Sequence, residues 1–154
     1  MFKKQIIRLF QVSKNILIVE SRYYEDIAEM LLNAVSNELK EYKFNYKTIE
    51  VLGALEIPIL ISKAIKENIY DGYIALGCVI KGETSHYDIV SSVSAKSLSE
   101  LAIKHSVPIT NGILTVDNKE QALYRADKNK KNVGGHAAKA CINLIETFDT
   151  IKFS

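Results

Sequence analysis

The chain has 154 residues, 47% of them hydrophobic and 25% charged, enough for a full core and an ordinary globular balance. Twenty basic against eighteen acidic side chains leave a net charge of +2, too little for a nucleic-acid or membrane-surface protein to be read from charge alone. Cys78 and Cys141 form no CxxC pair, and His86, His105 and His136 show no metal-ligand spacing. Both cysteines lie in apolar stretches and read as reduced core residues. No apolar run approaches the ~20 residues of a membrane span. The basic N-terminus lacks the long apolar run and small-residue cleavage site of a signal peptide. A cytoplasmic protein of one domain, residues 1–154, is expected, with no repeat or linker.

Residues 15–20 (NILIVE) are a β-branched run and read as a buried strand. Residues 24–40 follow with helical periodicity, placing Ile27, Met30, Leu31, Ala34, Val35 and Leu39 on one face. Residues 46–52 alternate and read as a second strand. Pro58 fits the first turn of a helix running to about Lys66, because its missing N–H is unneeded there. Asp71 and Gly72 mark a turn before a third strand, residues 73–80. A polar turn at residues 81–85 then leads to His86 and a helix over residues 88–105, with Val90, Val93, Leu98, Leu101 and Ala102 on its core side. Pro108 opens a fourth strand ending near Leu114. Asp117 can cap a helix through about Ala126. The polar stretch DKNKKN leads past Gly134 and Gly135 into a last helix ending near Phe148.

The order β-α-β-α-β-α-β-α-α predicts an α/β fold with a four-stranded parallel sheet between two helical layers. Right-handed crossovers fix most of the topology. The unusual turns, at residues 21–23, 53–56, 81–86 and 111–112, all follow strands. They are therefore expected on one edge of the sheet, where open α/β sheets bind small ligands.

Each turn also has a plain reading. Tyr23 can be a surface tyrosine or a ring that stacks on a planar ligand. Gly53 and Ala54 permit close backbone approach, and Glu56 can serve simply as a charge near a helix start. Lys81 can be solvated, and Thr84 can be an N-cap. His86 can be structural, although an imidazole near neutral pH can also take and return a proton. Asp88 is near enough in sequence to orient it. A lone helical arginine such as Arg125 is usually solvated or ion-paired.

The combination is more specific than its parts. The stretch GCVIKGETSH has the form GxVIxGxTxH. With Arg22-Tyr23, GALEIP, PITNGILT and EQALYRA it closely resembles the 6,7-dimethyl-8-ribityllumazine synthase family, in order, over residues 15–147. The resemblance implies a flavodoxin-like three-layer α/β/α sandwich. It implies condensation of 5-amino-6-(D-ribitylamino)uracil with 3,4-dihydroxy-2-butanone 4-phosphate, giving the lumazine, phosphate and water, without metal or redox cofactor. It also implies the roles. Tyr23 stacks on the pyrimidine, where phenylalanine or tryptophan is more usual. Backbone groups of Ala54 and Leu55 bind the pyrimidine, and Glu56 holds ribityl hydroxyls. Cys78, Val79 and Ile80 lie on the pyrimidine side, and Glu83 and Thr84 on the phosphate side. His86 moves protons, and Arg125 holds phosphate. Asn111 is a substrate contact where many members carry phenylalanine. Val133 stands where members often have a lysine, leaving Lys128, Lys131 or no residue for that contact.

The resemblance further implies a homopentamer with shared active sites. Residues 2–10 (FKKQIIRLF) carry five large apolar residues and are expected to pair, as a strand, with a neighbouring subunit's sheet edge. Some members build sixty-subunit shells and tend to carry glycine in the loop before the last helix. Residues 127–132 here lack glycine and carry three lysines, which repel like copies. Free or weakly paired pentamers are expected. A flavin- or nucleotide-binding module would need GxGxxG or GxxxxGK[ST], and neither is present. A noncatalytic lumazine- or flavin-binding relative is the alternative, since one scaffold hosts different functions.

Overall fold

Residues 12–152 are described by a computed structural model; the expected intersubunit strand, residues 2–10, lies outside them. Strands β1 (Asn15–Ser21), β2 (Asn45–Val51), β3 (Gly72–Ile80) and β4 (Ile109–Val116) alternate with helices α1 (Glu25–Glu41), α2 (Glu56–Glu67), α3 (His86–His105) and α4 (Lys119–Ala126), and α5 (Val133–Ile151) closes the order. The strands form one parallel sheet ordered β2-β1-β3-β4. This is the expected α/β sandwich of flavodoxin-like type.

Period-two alternation divides the sheet's side chains between two cores. Ile16, Ile18, Ile74, Leu76, Leu114 and Val116 point to one face, where α1, α4 and α5 bring Leu31, Val35, Ala122, Ala138 and Ile142. Leu17, Val19, Tyr73, Ala75 and Ile113 point to the other, against Ile57 and Ile61 of α2 and Val90 and Leu98 of α3. Central β1 is covered on both faces, and Ile16 to Val19 are wholly inaccessible. That explains its unbroken apolar run. Edge strand β2 is only partly buried and carries polar residues.

The strand order places a switch point between β1 and β3, because the chain goes from β1 out to β2 and then crosses back. β3 also outruns its neighbour. Its pairing with β1 stops at Leu76, opposite Glu20, whereas its pairing with β4 continues to Ile80, opposite Val116. The last residues of β3 thus pass the end of β1 with no strand beside them on that side. Such a crevice is where ligands enter this class of sheet.

Several local expectations are corrected. Asn111 and Gly112 are not a turn but lie inside β4, opposite Ala75 and Leu76. Gly112 reports close packing: a Cβ there would sit 2.7 Å from Leu76 Cδ2 and 3.0 Å from the Ala75 carbonyl oxygen. Gly134 and Gly135 belong to the first turn of α5, which runs on to Ile151. The cap of α4 is Asn118, whose side chain accepts from the Gln121 N–H, and not Asp117. α3 begins at His86 and buries Val90, Ser94 and Leu98. Val93, expected in the core, is 47% exposed, because the buried ridge follows a four-residue step that leaves it on the flank.

Candidate active site

Three post-strand turns meet at the β1/β3 switch point and enclose a cleft of about 480 Å³. From the end of β1 come Ser21, Tyr23 and Tyr24; from the end of β2 come Leu52, Gly53, Ala54, Leu55 and Glu56; from β3 and α3 come Cys78, Val79, Ile80, His86 and Val90. The first two turns are tied together by the Ser21 hydroxyl, which donates to the Leu52 carbonyl at 3.2 Å. Ala54 is buried while Tyr23 and Leu52 stand out at the rim, 79% and 93% exposed. The Tyr23 ring meets Tyr24 edge-on, with centroids 4.9 Å apart at 74°. An aromatic wall therefore faces the open edge of β3 across the cleft.

The first turn is braced by charge. Glu20 is 3% exposed, and both its carboxylate oxygens accept from Arg22 Nη1, at 3.1 and 3.2 Å. Arg22 Nη2 donates to Glu29 of α1 at 2.8 Å and lies 3.7 Å from Glu25. Burial pushes the Glu20 carboxyl up from its ordinary range, against the lowering pull of Arg22. Chiefly its hydrogen bond to Glu29 holds the Arg22 guanidinium still more firmly in the charged form. At the back of the cleft, burial raises the half-buried Cys78 thiol to about 11. Cys78 is thus a wall and not a nucleophile.

On the far side, His86 opens α3. Its backbone N–H donates to Thr84 Oγ1 at 3.3 Å, but the N-cap is Ser85, which makes no side-chain capping bond, and not Thr84. Residues 81–86 are all exposed. Lys81, Glu83 and Thr84 lie beyond the cleft lining, next to His86. Asp88 turns away from His86 and lines a separate cleft.

Two predicted residues lie outside this assembly. Asn111 faces that second cleft, of about 400 Å³, between α3 and β4, with Asp88, Ser91, Ser92, Ser94 and Thr115. Its Oδ1 accepts from the Ile113 N–H at 2.9 Å. Arg125 is half-buried on α4 and donates to the Gln121 carbonyl at 3.4 Å; it lines neither cleft. Sequence reasoning missed Ser21, Tyr24, Leu52 and Val90. Leu52 carried a usable signal, an apolar residue just past the carboxyl end of a strand and before a glycine. The others had none beyond adjacency to the motifs.

No group of three or more His, Cys, Asp or Glu side chains among the described residues is arranged to hold a metal ion. No described helix is long and apolar enough to cross a membrane.

Comparison with known proteins identifies the family. The profile of the 6,7-dimethyl-8-ribityllumazine synthase family matches residues 13–149. The 6,7-dimethyl-8-ribityllumazine synthase of Agrobacterium fabrum is 47% identical over 137 residues, covering 86% of this chain and 93% of its own. That of Bartonella tribocorum is 48% identical over 132 residues, covering 85% and 87%. That of Zymomonas mobilis is 47% identical over 128 residues, covering 83% and 91%. By profile and by identity over most of its length, the chain belongs to the 6,7-dimethyl-8-ribityllumazine synthase family.

Proposed function

We propose that the chain carries out its family's reaction in riboflavin biosynthesis, joining 5-amino-6-(D-ribitylamino)uracil to 3,4-dihydroxy-2-butanone 4-phosphate and releasing phosphate and water. Family membership supports the reaction, and nothing in the comparisons favours a noncatalytic relative. The observation that carries the assignment of roles is the gathering of Tyr23, Glu56 and His86 around the unpaired end of β3. The pyrimidine stacks on Tyr23, and its amide edge pairs with backbone groups at Cys78, Val79 and Ile80, in the manner of an added strand. Ala54 and Leu55 close the opposite edge, and Glu56 accepts from ribityl hydroxyls. Glu83 and Thr84 flank the phosphate.

The amine of the aminouracil attacks the ketone to form an imine, phosphate leaves, the ring closes and water is lost. His86 relays protons beside these steps. Most of the acceleration comes from holding two substrates in register.

Asn111 and Arg125 act in a neighbouring copy's cleft. Their separation from His86 within one chain supports a site completed across a subunit boundary, and hence a homopentamer. Exposed Ile89, Val93 and Ile103, recurring along α3, supply an apolar face for such contact. Free or weakly paired pentamers of a single-domain cytoplasmic chain are the proposed form, since Lys128, Lys130 and Lys131 crowd the loop before α5.

A coupled assay tests the reaction. Lumazine fluorescence and phosphate release should rise together when both substrates are present. Binding of the aminouracil without either signal would refute catalysis. Light scattering tests the assembly: a mass near sixty copies would refute the loop argument, and a stable active monomer would refute the shared site.

A further inference from the structure

We propose that Glu20 is a positioning residue, holding the Tyr23 ring in place through the Arg22 guanidinium; this rests on the reading of Tyr23 as the pyrimidine's stacking partner. Glu20 stands at the carboxyl end of the central strand, in register with Glu50 on one side and Leu76 on the other. A carboxylate there is 3% exposed. Burying a charge is unfavourable unless it is paired and hydrogen-bonded, and an apolar residue would fill the same place without that penalty. The pairing has a definite direction. Arg22 Nη1 bridges both Glu20 oxygens, while Nη2 reaches Glu29, one turn into α1, at 2.8 Å.

The guanidinium therefore fastens a buried carboxylate near the end of β1 to the first turns of α1. The short link between those two elements carries Tyr23. Two other contacts flank that link: the Ser21 hydroxyl on the Leu52 carbonyl and the packing of Tyr24 on the core. Tyr24, the N-cap of α1, makes no side-chain capping hydrogen bond, and the Tyr23 ring is 79% exposed, with Tyr24 as its ring neighbour. A planar fork held at both ends resists rotation about the link in a way that a single contact does not. Its effect on a stacked ligand is pre-organisation: the ring is already in place when the ligand arrives.

The test uses steady-state kinetics with each substrate varied in turn. Glu20→Gln preserves shape and removes the charge. The KM for the aminouracil should rise about three- to tenfold, the scale of a partly lost charge-assisted hydrogen bond, while kcat and the KM for the butanone phosphate stay within about twofold. The double variant Glu20→Gln/Tyr23→Ala supplies the decisive arm. A residue that acts only by placing the ring adds nothing once the ring is gone, so its KM should equal that of Tyr23→Ala alone. Equal rises for both substrates, or additive losses in the double variant, would overturn the proposal while leaving Tyr23 as a contact. An unchanged KM in Tyr23→Ala would overturn the reading of the ring and the positioning role with it. Should Glu20→Gln fail to fold, Glu29→Gln, at the exposed end of the same guanidinium, carries the same comparison with a smaller rise expected.

Discussion

Replacing Gly134 by alanine tests the closest approach between helices. Gly134 lies in the first turn of α5, where that helix crosses α1. A Cβ added there would meet the Leu31 carbonyl oxygen at 2.7 Å, with Leu31 Cα and Ala34 Cβ both at 3.3 Å. The nearest atom belongs to backbone, so no side chain can swing aside and one helix must move. Overpacking of this kind costs about 1–3 kcal/mol. Better helix propensity offsets up to about 1 kcal/mol of it. Because the obstacle is backbone, the upper part of that range, about 2–3 kcal/mol, applies, and the net loss is about 1–2 kcal/mol, or ~2–8 °C in Tm for a chain of this size. Circular-dichroism melts at one fixed protein concentration would measure it, since association makes Tm concentration-dependent. Gly82→Ala is the control: nothing lies within 4 Å of a Cβ there and its φ is not positive. It should be neutral or slightly stabilising. A Gly134→Ala protein that melts at or above the unaltered temperature would refute the packing argument.

Three other outcomes are expected. His86→Ala should keep fold and substrate binding but lose a factor of ~10²–10⁴ in kcat; an unchanged kcat would remove the imidazole from the chemistry. Arg125→Lys should raise the KM for the butanone phosphate more than that for the aminouracil, because an ammonium cannot reproduce a two-pronged contact; equal rises would indicate a structural role. Burial holds the Cys78 and Cys141 thiols up at about 11 and about 12. Folding thus keeps both protonated, and stability falls as pH rises from the ordinary thiol value of about 9 toward those values. At pH 8 the Cys78 thiolate fraction is ~10⁻³, so alkylation should be slow in the folded protein and far faster after denaturation. Rapid labelling of Cys78 at pH 8 without unfolding would contradict its buried setting.

What was legible in the sequence was the part governed by local periodicity and by glycine- and proline-marked turns. The strand-helix alternation and the meeting of the Tyr23, Glu56 and His86 turns follow from patterns only a few residues long. Misreadings arose where a residue answers to a distant neighbour. Gly112 and Gly134 resemble chain breakers, yet both are small because another element presses on them. Val93 fits a helical face but misses the ridge that α3 buries. Glu20 reads as the polar end of a strand with Arg22 two residues on, and only the fold brings Glu29 to the other side of that guanidinium. Arg125 and Asn111 match family motifs in order, but chain order is silent on whose cleft a side chain enters.

The three buried residues of α3 recur at every fourth position. At 100° per residue each step of four advances only about 40°, so the three together sweep about 80° of the helix circumference. A helix seated on so narrow a strip has little apolar area to lose when it lifts, and the free energy of its local opening is correspondingly small. Its amides thus owe much of their protection against solvent exchange to whatever covers the opposite side. With the proposed neighbouring copy on that side, deuterium uptake along residues 86–105 should quicken on dilution while the amides of β1, sealed on both faces, keep their rate; uptake that is independent of concentration would count against that copy.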